Sequence, residues 1–168
     1  MPHPISSLGA LHTAISLVPI VAGIIAFARH RRIDPAAGAG RIYLAGLLLS
    51  VLTSFGLSSS GGFNAGHALG ILSLLAAFGG GLLIPRLAFL RGLRPYLSAF
   101  GMSFSFFLLL VPGISETLRR LPAGHPLADS PQSPVVLGTL LAWLIVFFVG
   151  YAVQTWLIRS QGRAAVRP

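Results

Sequence analysis

The chain has 168 residues, 54% of them hydrophobic and 9% charged, with no cysteine, and its mean hydropathy is +0.83. A soluble domain is about a quarter charged, so a water-facing surface cannot be built from this composition, and without cysteine there is no disulfide, thiolate metal centre or cysteine nucleophile. All twelve basic residues are arginine, against three acids, for a net charge of +9; they cluster between apolar runs, which marks membrane topology and argues against a nucleic-acid partner.

In chain order, the first apolar run covers residues 8–28. Ala26-Phe27-Ala28 looks like a signal-peptidase site, but a secretory signal carries its positive charge before the apolar segment. Here Arg29, Arg31 and Arg32 follow it, which predicts a retained span running outside to inside. His12, Ser16, Pro19 and Gly23 fall on one face of this helix and predict a small, polar seam toward the bundle. The second run, 42–60, follows Arg41 and is diluted by serine and glycine. The third, 65–84, carries Gly62, Gly66 and Gly70 at every fourth position just before and within it, continued by Ser73, Ala77, Gly80 and Gly81. Such a stripe lets a neighbouring membrane helix approach closely.

Arg86, Arg91 and Arg94 precede the fourth run, 96–114, which is again diluted by serine and glycine. The second and fourth runs are the weakest of the five. Beyond the fourth, Ile114, Leu118 and Leu121 lie opposite Glu116, Arg119 and Arg120 at helical spacing, predicting a short separate helix on the membrane surface. Pro122, Pro126, Pro131 and Pro134 then predict an extended loop. The fifth run, 135–158, holds Trp143 and Trp156, and Trp156 with Arg159 suits an inner-interface anchor.

A membrane helix needs about 20 apolar residues, and continuous runs favour helices over barrel strands. The expected fold is therefore all-α: a polytopic membrane helix bundle, one integral domain over residues 1–168, with five transmembrane helices. With five alternating helices, Arg29, Arg31, Arg32, Arg41, Arg86, Arg91, Arg94 and Arg159 fall on one side, as do Arg163 and Arg167 in the tail. Positive charge is retained in the cytoplasm, so the N-terminus is expected outside and the C-terminus inside.

This topology puts His12 and His67 in the same outer leaflet. Two imidazoles from different helices at one depth suit the axial ligands of a b-type haem, with Gly66 and Gly70 leaving room for the macrocycle. A histidine within a turn of the interface also serves simply as a hydrogen-bonding group to headgroups, water or a carbonyl. A divalent-ion site is a third reading, with His12, His67 and Glu116 as ligands and His125 and Asp129 in the adjoining loop. Phosphate loops, zincin motifs and nucleophile elbows are absent. None of the five predicted spans contains Asp, Glu, Lys or Arg, which weighs against a pump or channel. Ser50, Ser54, Ser103 and Ser105 could line a polar path, but such serines usually bond to the preceding turn. The inner arginines are expected to anchor anionic lipid.

"GRIYLAGLLLSVLTSF" followed by "GGFNAGHALGILSLLAAFGGGL" resembles the small bacterial membrane proteins grouped as domain of unknown function 2306. The likeness covers roughly residues 8–120 and rests on Gly40, Arg41, Tyr43 and His67. Members often carry a His-Arg pair shortly before Gly-Arg-x-Tyr, where this chain has "PAAGAGRIY", with His30 further upstream in the same loop. The resemblance implies a multi-pass protein of the bacterial cytoplasmic (inner) membrane and no particular reaction. Two functions of different class are expected from the residues. The first is a structural or partner subunit without chemistry of its own, contacting the lipid bilayer and a membrane-protein partner or a second copy of itself. The alternative is a small electron carrier with haem b on His12 and His67.

Overall fold

The computed structural model describes residues 6–57 and 62–164. Five α-helices follow one another: α1 (Ser7–His30), α2 (Gly38–Ser54), α3 (Ala65–Phe78), α4 (Arg94–Arg120) and α5 (Pro134–Ala164). Among the described residues there is no strand. α1, α4, α5 and α3 with its continuation to Arg86 are each long and apolar enough to cross a membrane, whereas α2 has 17 residues, the short end of what spans a bilayer.

The helix ends follow from local chemistry. The Ser6 hydroxyl accepts from the Gly9 N–H to start α1, satisfying one of the free amides of a first turn. At the other end Arg31 takes a left-handed conformation (φ 59°) and its N–H closes onto the Phe27 carbonyl. Asp34 then makes the turn into α2, accepting the Ala36 N–H at its side chain and the Ala37 N–H at its carbonyl. Gly40 is required here, because a Cβ would sit 1.9 Å from the Asp34 oxygen.

Cross-helix pairs give the packing directions. Along α1 and α2, His12 meets Thr53 and Ser16 meets Ser50, while a Cβ on Gly46 would run into Pro19. One number rises as the other falls, so the two helices are antiparallel. The same inverse order links α2 to α3 (Ser54 with His67, Val51 with Gly70) and α3 to α4 (Ser73 with Ser105, Gly80 with Gly101). It also links α4 to α5 (Tyr96 with Tyr151, Phe107 with Trp143). Arg29, Arg31, Arg32, Arg41, Arg86, Arg91, Arg94 and Arg159 therefore gather at one end of the bundle and Glu116 at the other.

α4 is the hub, touching α1, α3 and α5. Its glycines and serines, which make it a weak apolar run, are the packing surface itself: Gly101, Ser103 and Ser105 are buried. Without a hydrophobic drive between helices in lipid, small residues and hydrogen bonds are what a membrane helix uses to associate. The core is built on Tyr43, Leu47, Ala26, Ala77, Met102 and Phe106. Leu17, Ile24, Leu141, Val149 and Trp156 are exposed, the outward face expected of a bundle solvated by hydrocarbon.

Two expectations are corrected. The fourth helix does not end near residue 114 with a separate surface helix after it; α4 is continuous to Arg120 and includes Pro112. Ile114 to Arg120 keep their helical spacing as its last turns, and Thr117 donates back to the Gly113 carbonyl. The second helix covers 38–54 in place of 42–60: the Asp34 turn starts it early, and a turn at Phe55 and Gly56, with the Gly56 N–H on the Thr53 carbonyl and the Leu57 N–H on the Ser54 carbonyl, ends it, while residues 58–60 lie outside the described residues. The proline-rich connection also folds back on α4, with the Ala128 N–H on the Leu118 carbonyl and Ala128 buried.

The small-residue stripe divides. Gly70 packs on Val51 of α2, and Gly80 lies against Gly101 of α4, where a Cβ would come within 2.8 Å of the Gly101 Cα. Ser73 and Ala77 are fully buried on the same line. Gly62 precedes the helix, and a Cβ on Gly66 would meet only the Asn64 side chain, so these two are not in the interhelical seam. After Phe78 the helix widens into a π turn over Gly79–Leu83. Pro85 follows at once in a tight turn; proline lacks the N–H that a regular helix would direct to residue 81 and its ring crowds that carbonyl, so the ladder changes register ahead of it.

Candidate functional site

The sequence singles out His12 and His67, at the end of the bundle opposite the clustered arginines, and the polar groups there converge on the last turn of α2. Asn64 caps α3: its side-chain oxygen accepts the His67 N–H at 3.1 Å, while His67 Nδ1 accepts the Asn64 N–H at 3.2 Å. This reciprocal box satisfies two amides that a helix start leaves open. Because Nδ1 accepts, the ring proton is on Nε2, which donates to the Ser54 carbonyl of α2 at 3.0 Å. Phe55 stacks on the ring at a centroid distance of 4.8 Å and Phe63 leans against it at 5.7 Å. His67 is 4% exposed.

His12 reaches the same turn from the other side. The Thr53 hydroxyl donates to the Leu49 and Ser50 carbonyls, so its oxygen accepts from His12 Nδ1, 2.9 Å away. His12 Nε2 is then left as an acceptor for Ser16, at 3.3 Å. Ser16 in turn takes a 2.6 Å bond from Ser50. The result is a directed chain, Ser50 to Ser16 to His12 to Thr53, whose hydrogens all have assigned ends with a neutral imidazole.

The two imidazoles are thus fastened to adjacent residues of α2, and each ring nitrogen already has a partner. Axial ligation of haem needs a free imidazole lone pair aimed at iron. The lone pair of His67 lies on Nδ1 and is committed to its own helix cap, and that of His12 lies on Nε2 and faces Ser16. The residues present do not fit a bis-histidine haem. The divalent-ion reading also fails on the donor set: among the described residues no three His, Cys, Asp or Glu side chains come together to hold a metal ion. Glu116 is occupied by Arg119 at 3.0 Å and Arg120 at 2.7 Å, while His125 and Asp129 are exposed.

A second polar layer lies deeper and was not legible in the sequence. Ser105 donates to the Met102 carbonyl at 2.7 Å, so the Tyr43 hydroxyl, 2.6 Å away, donates to Ser105. Ser73 donates to the Ser105 carbonyl at 2.9 Å, and one residue of α4 thereby fastens α2 and α3 together. Ser103 donates to Gln154 of α5 at 3.0 Å. Tyr43 in an otherwise apolar stretch was the available signal. The serines split as donors: Ser54 and Ser105 donate within their own helix, as expected, whereas Ser50 and Ser103 donate across helices. Among the described residues Arg119 Nε is the one buried side-chain polar atom without a partner.

At the arginine end, a cleft of about 230 Å³ opens between the end of α1 and the later turns of α5. Comparison of the chain with protein-family models, with curated proteins and with solved structures finds no match in any of the three.

Proposed function

We propose that this protein is an integral membrane protein of the bacterial inner membrane, with five spanning helices, the N-terminus outside and the C-terminus cytoplasmic. Its role is that of a structural or partner subunit without chemistry of its own. The carrying observation is the closure of the outer histidine cluster: His12 and His67, the best candidates for chemistry, spend their ring nitrogens on holding α1, α2 and α3 together. The arginine end supports the orientation. The resemblance to domain of unknown function 2306 belongs to the same proposal. Three of the residues that carry it have structural work here, Gly40 at the Asp34 turn, Tyr43 on Ser105 and His67 on Ser54.

The partner surface, on this reading, is α5, the most exposed of the four long helices. The chain has no cysteine, so single cysteines at exposed Val149 or Val153 can be tested for crosslinking in native membranes. A specific product, to a second copy or to another membrane protein, is expected. Uniform lipid accessibility along α5 with no product would overturn the partner role. Resistance to alkaline extraction and a cytoplasmic C-terminal reporter are expected, and a soluble protein would sink the membrane reading. A b-type band in a reduced-minus-oxidised spectrum that vanishes in His67→Ala would replace the proposal with the electron-carrier function.

A further inference from the structure

The cleft at the arginine end is lined by Arg31, Arg32 and Asp34 from the end of α1 and the turn after it, and by Gln154, Leu157 and Ile158 of α5. Gln154 is the unusual member. It is 7% exposed, deep for an amide on an apolar helix, and its carbonyl oxygen is taken by the Ser103 hydroxyl. That bond turns the amide nitrogen the other way, and among the described residues this nitrogen has no partner. Its remaining surface is in the cleft, where it is a donor open to an acceptor that enters from outside.

The charges around it match. Arg32 makes a 3.4 Å pair with Asp34, and Asp34 also holds the Ala36 N–H, so the one acid in the cleft is engaged. Arg31 has no acidic partner. The carbonyl end of α1 points its negative pole toward this region, so the guanidinium groups must supply the attraction for an anion. Leu157 and Ile158 make the α5 side of the same cleft apolar.

We infer that this cleft binds a phosphate group, held by Arg31 and the amide of Gln154, and that the phosphate is the headgroup of an anionic phospholipid whose acyl chain lies along Leu157 and Ile158. A guanidinium and a neutral donor converging on one pocket are the usual means of holding phosphate. A free phosphate shares the polar half of this chemistry and lacks the apolar half. The lipid source rests on the membrane reading above, which alkaline extraction tests by itself.

The test titrates the full chain in mild detergent with phosphatidylglycerol, phosphatidylcholine and inorganic phosphate, counting bound molecules by native mass spectrometry. Arg31→Gly removes the guanidinium at a left-handed position that glycine prefers. Gln154→Glu keeps the acceptor for Ser103 and replaces the free donor by an oxygen. Preferential retention of phosphatidylglycerol is expected, with a loss of roughly fivefold in Arg31→Gly and at least as much in Gln154→Glu. Unchanged melting of both variants in phosphatidylcholine shows that the fold is intact. Equal retention by wild type and variants would overturn the site. Phosphate binding with the same variant dependence, and no preference between the two lipids, would overturn the lipid source.

Discussion

His67 and Ser54 join two helices through one bond: the imidazole Nε2 of α3 donates to the α2 carbonyl at 3.0 Å, and it can do so only because Nδ1 is already an acceptor in the α3 cap. Capping and helix docking are therefore coupled. His67→Ala removes the imidazole half of the cap and the bond to Ser54, leaving Asn64 Oδ1 on the residue-67 N–H, and should cost about 2 kcal/mol. Asn64→Ala, which removes only the Asn64 Oδ1 half of the cap and keeps the residue-64 N–H on Nδ1, should cost about 1 kcal/mol. Unfolding in mild detergent, followed by helical circular dichroism, measures the two. If His67→Ala is no worse than Asn64→Ala, the bond to Ser54 contributes nothing.

The deeper layer separates the loss of a bond from the stranding of a donor. Tyr43→Phe removes the hydroxyl and leaves Ser105 bonded to Met102, for a cost of about 0.6 kcal/mol, typical of interhelical bonds in membranes. Ser105→Ala leaves the fully buried Tyr43 hydroxyl with no acceptor and should cost about 1–3 kcal/mol. The order of the two melting shifts is the measurement, and a reversed order would show that Tyr43 finds another partner.

Two glycines of α4 give opposite results on the same substitution. A Cβ at Gly101 would stand 2.7 Å from the Ala76 carbonyl oxygen and the Gly80 Cα, so Gly101→Ala must push α3 and α4 apart and should cost about 1–3 kcal/mol. Gly113 has open space around the added atom, and Gly113→Ala should be neutral or stabilising by about 0.5–1 kcal/mol. Equal effects in a paired melt would contradict the seam.

Glu116 gives a metal test. Its carboxylate sits in exposed pairs with Arg119 and Arg120, worth at most about 1 kcal/mol. Glu116→Gln should therefore shift melting little, and added zinc should leave the melting of both wild type and variant unchanged. A zinc-dependent rise that disappears in Glu116→Gln would restore the divalent-ion reading.

The all-helical architecture and the inward face of α1 were legible because apolar run length and helical periodicity are local properties. His12, Ser16, Pro19 and Gly23 do face the bundle, through Thr53, Ser50, Gly46 and Phe106. The sequence also brings His12 and His67 to one end. It leaves open what they do there, because a ring nitrogen's availability depends on partners such as Thr53 and Ser54, which belong to another helix. α4 was undervalued for a related reason: hydropathy scores Gly101, Ser103 and Ser105 as dilution, whereas packing makes them the contact surface.

Composition and run length by themselves determined that the chain is built of apolar helices, since both depend only on residues near one another in the chain. The tertiary structure decided which polar atoms are spent and which are left over. It closed the histidine cluster on α2, drew α3 and α4 together at Gly80 and Gly101, and left the Gln154 amide nitrogen open in the cleft that Arg31 also lines. Hydrogen-bond satisfaction is settled between helices, and no single run of sequence records it.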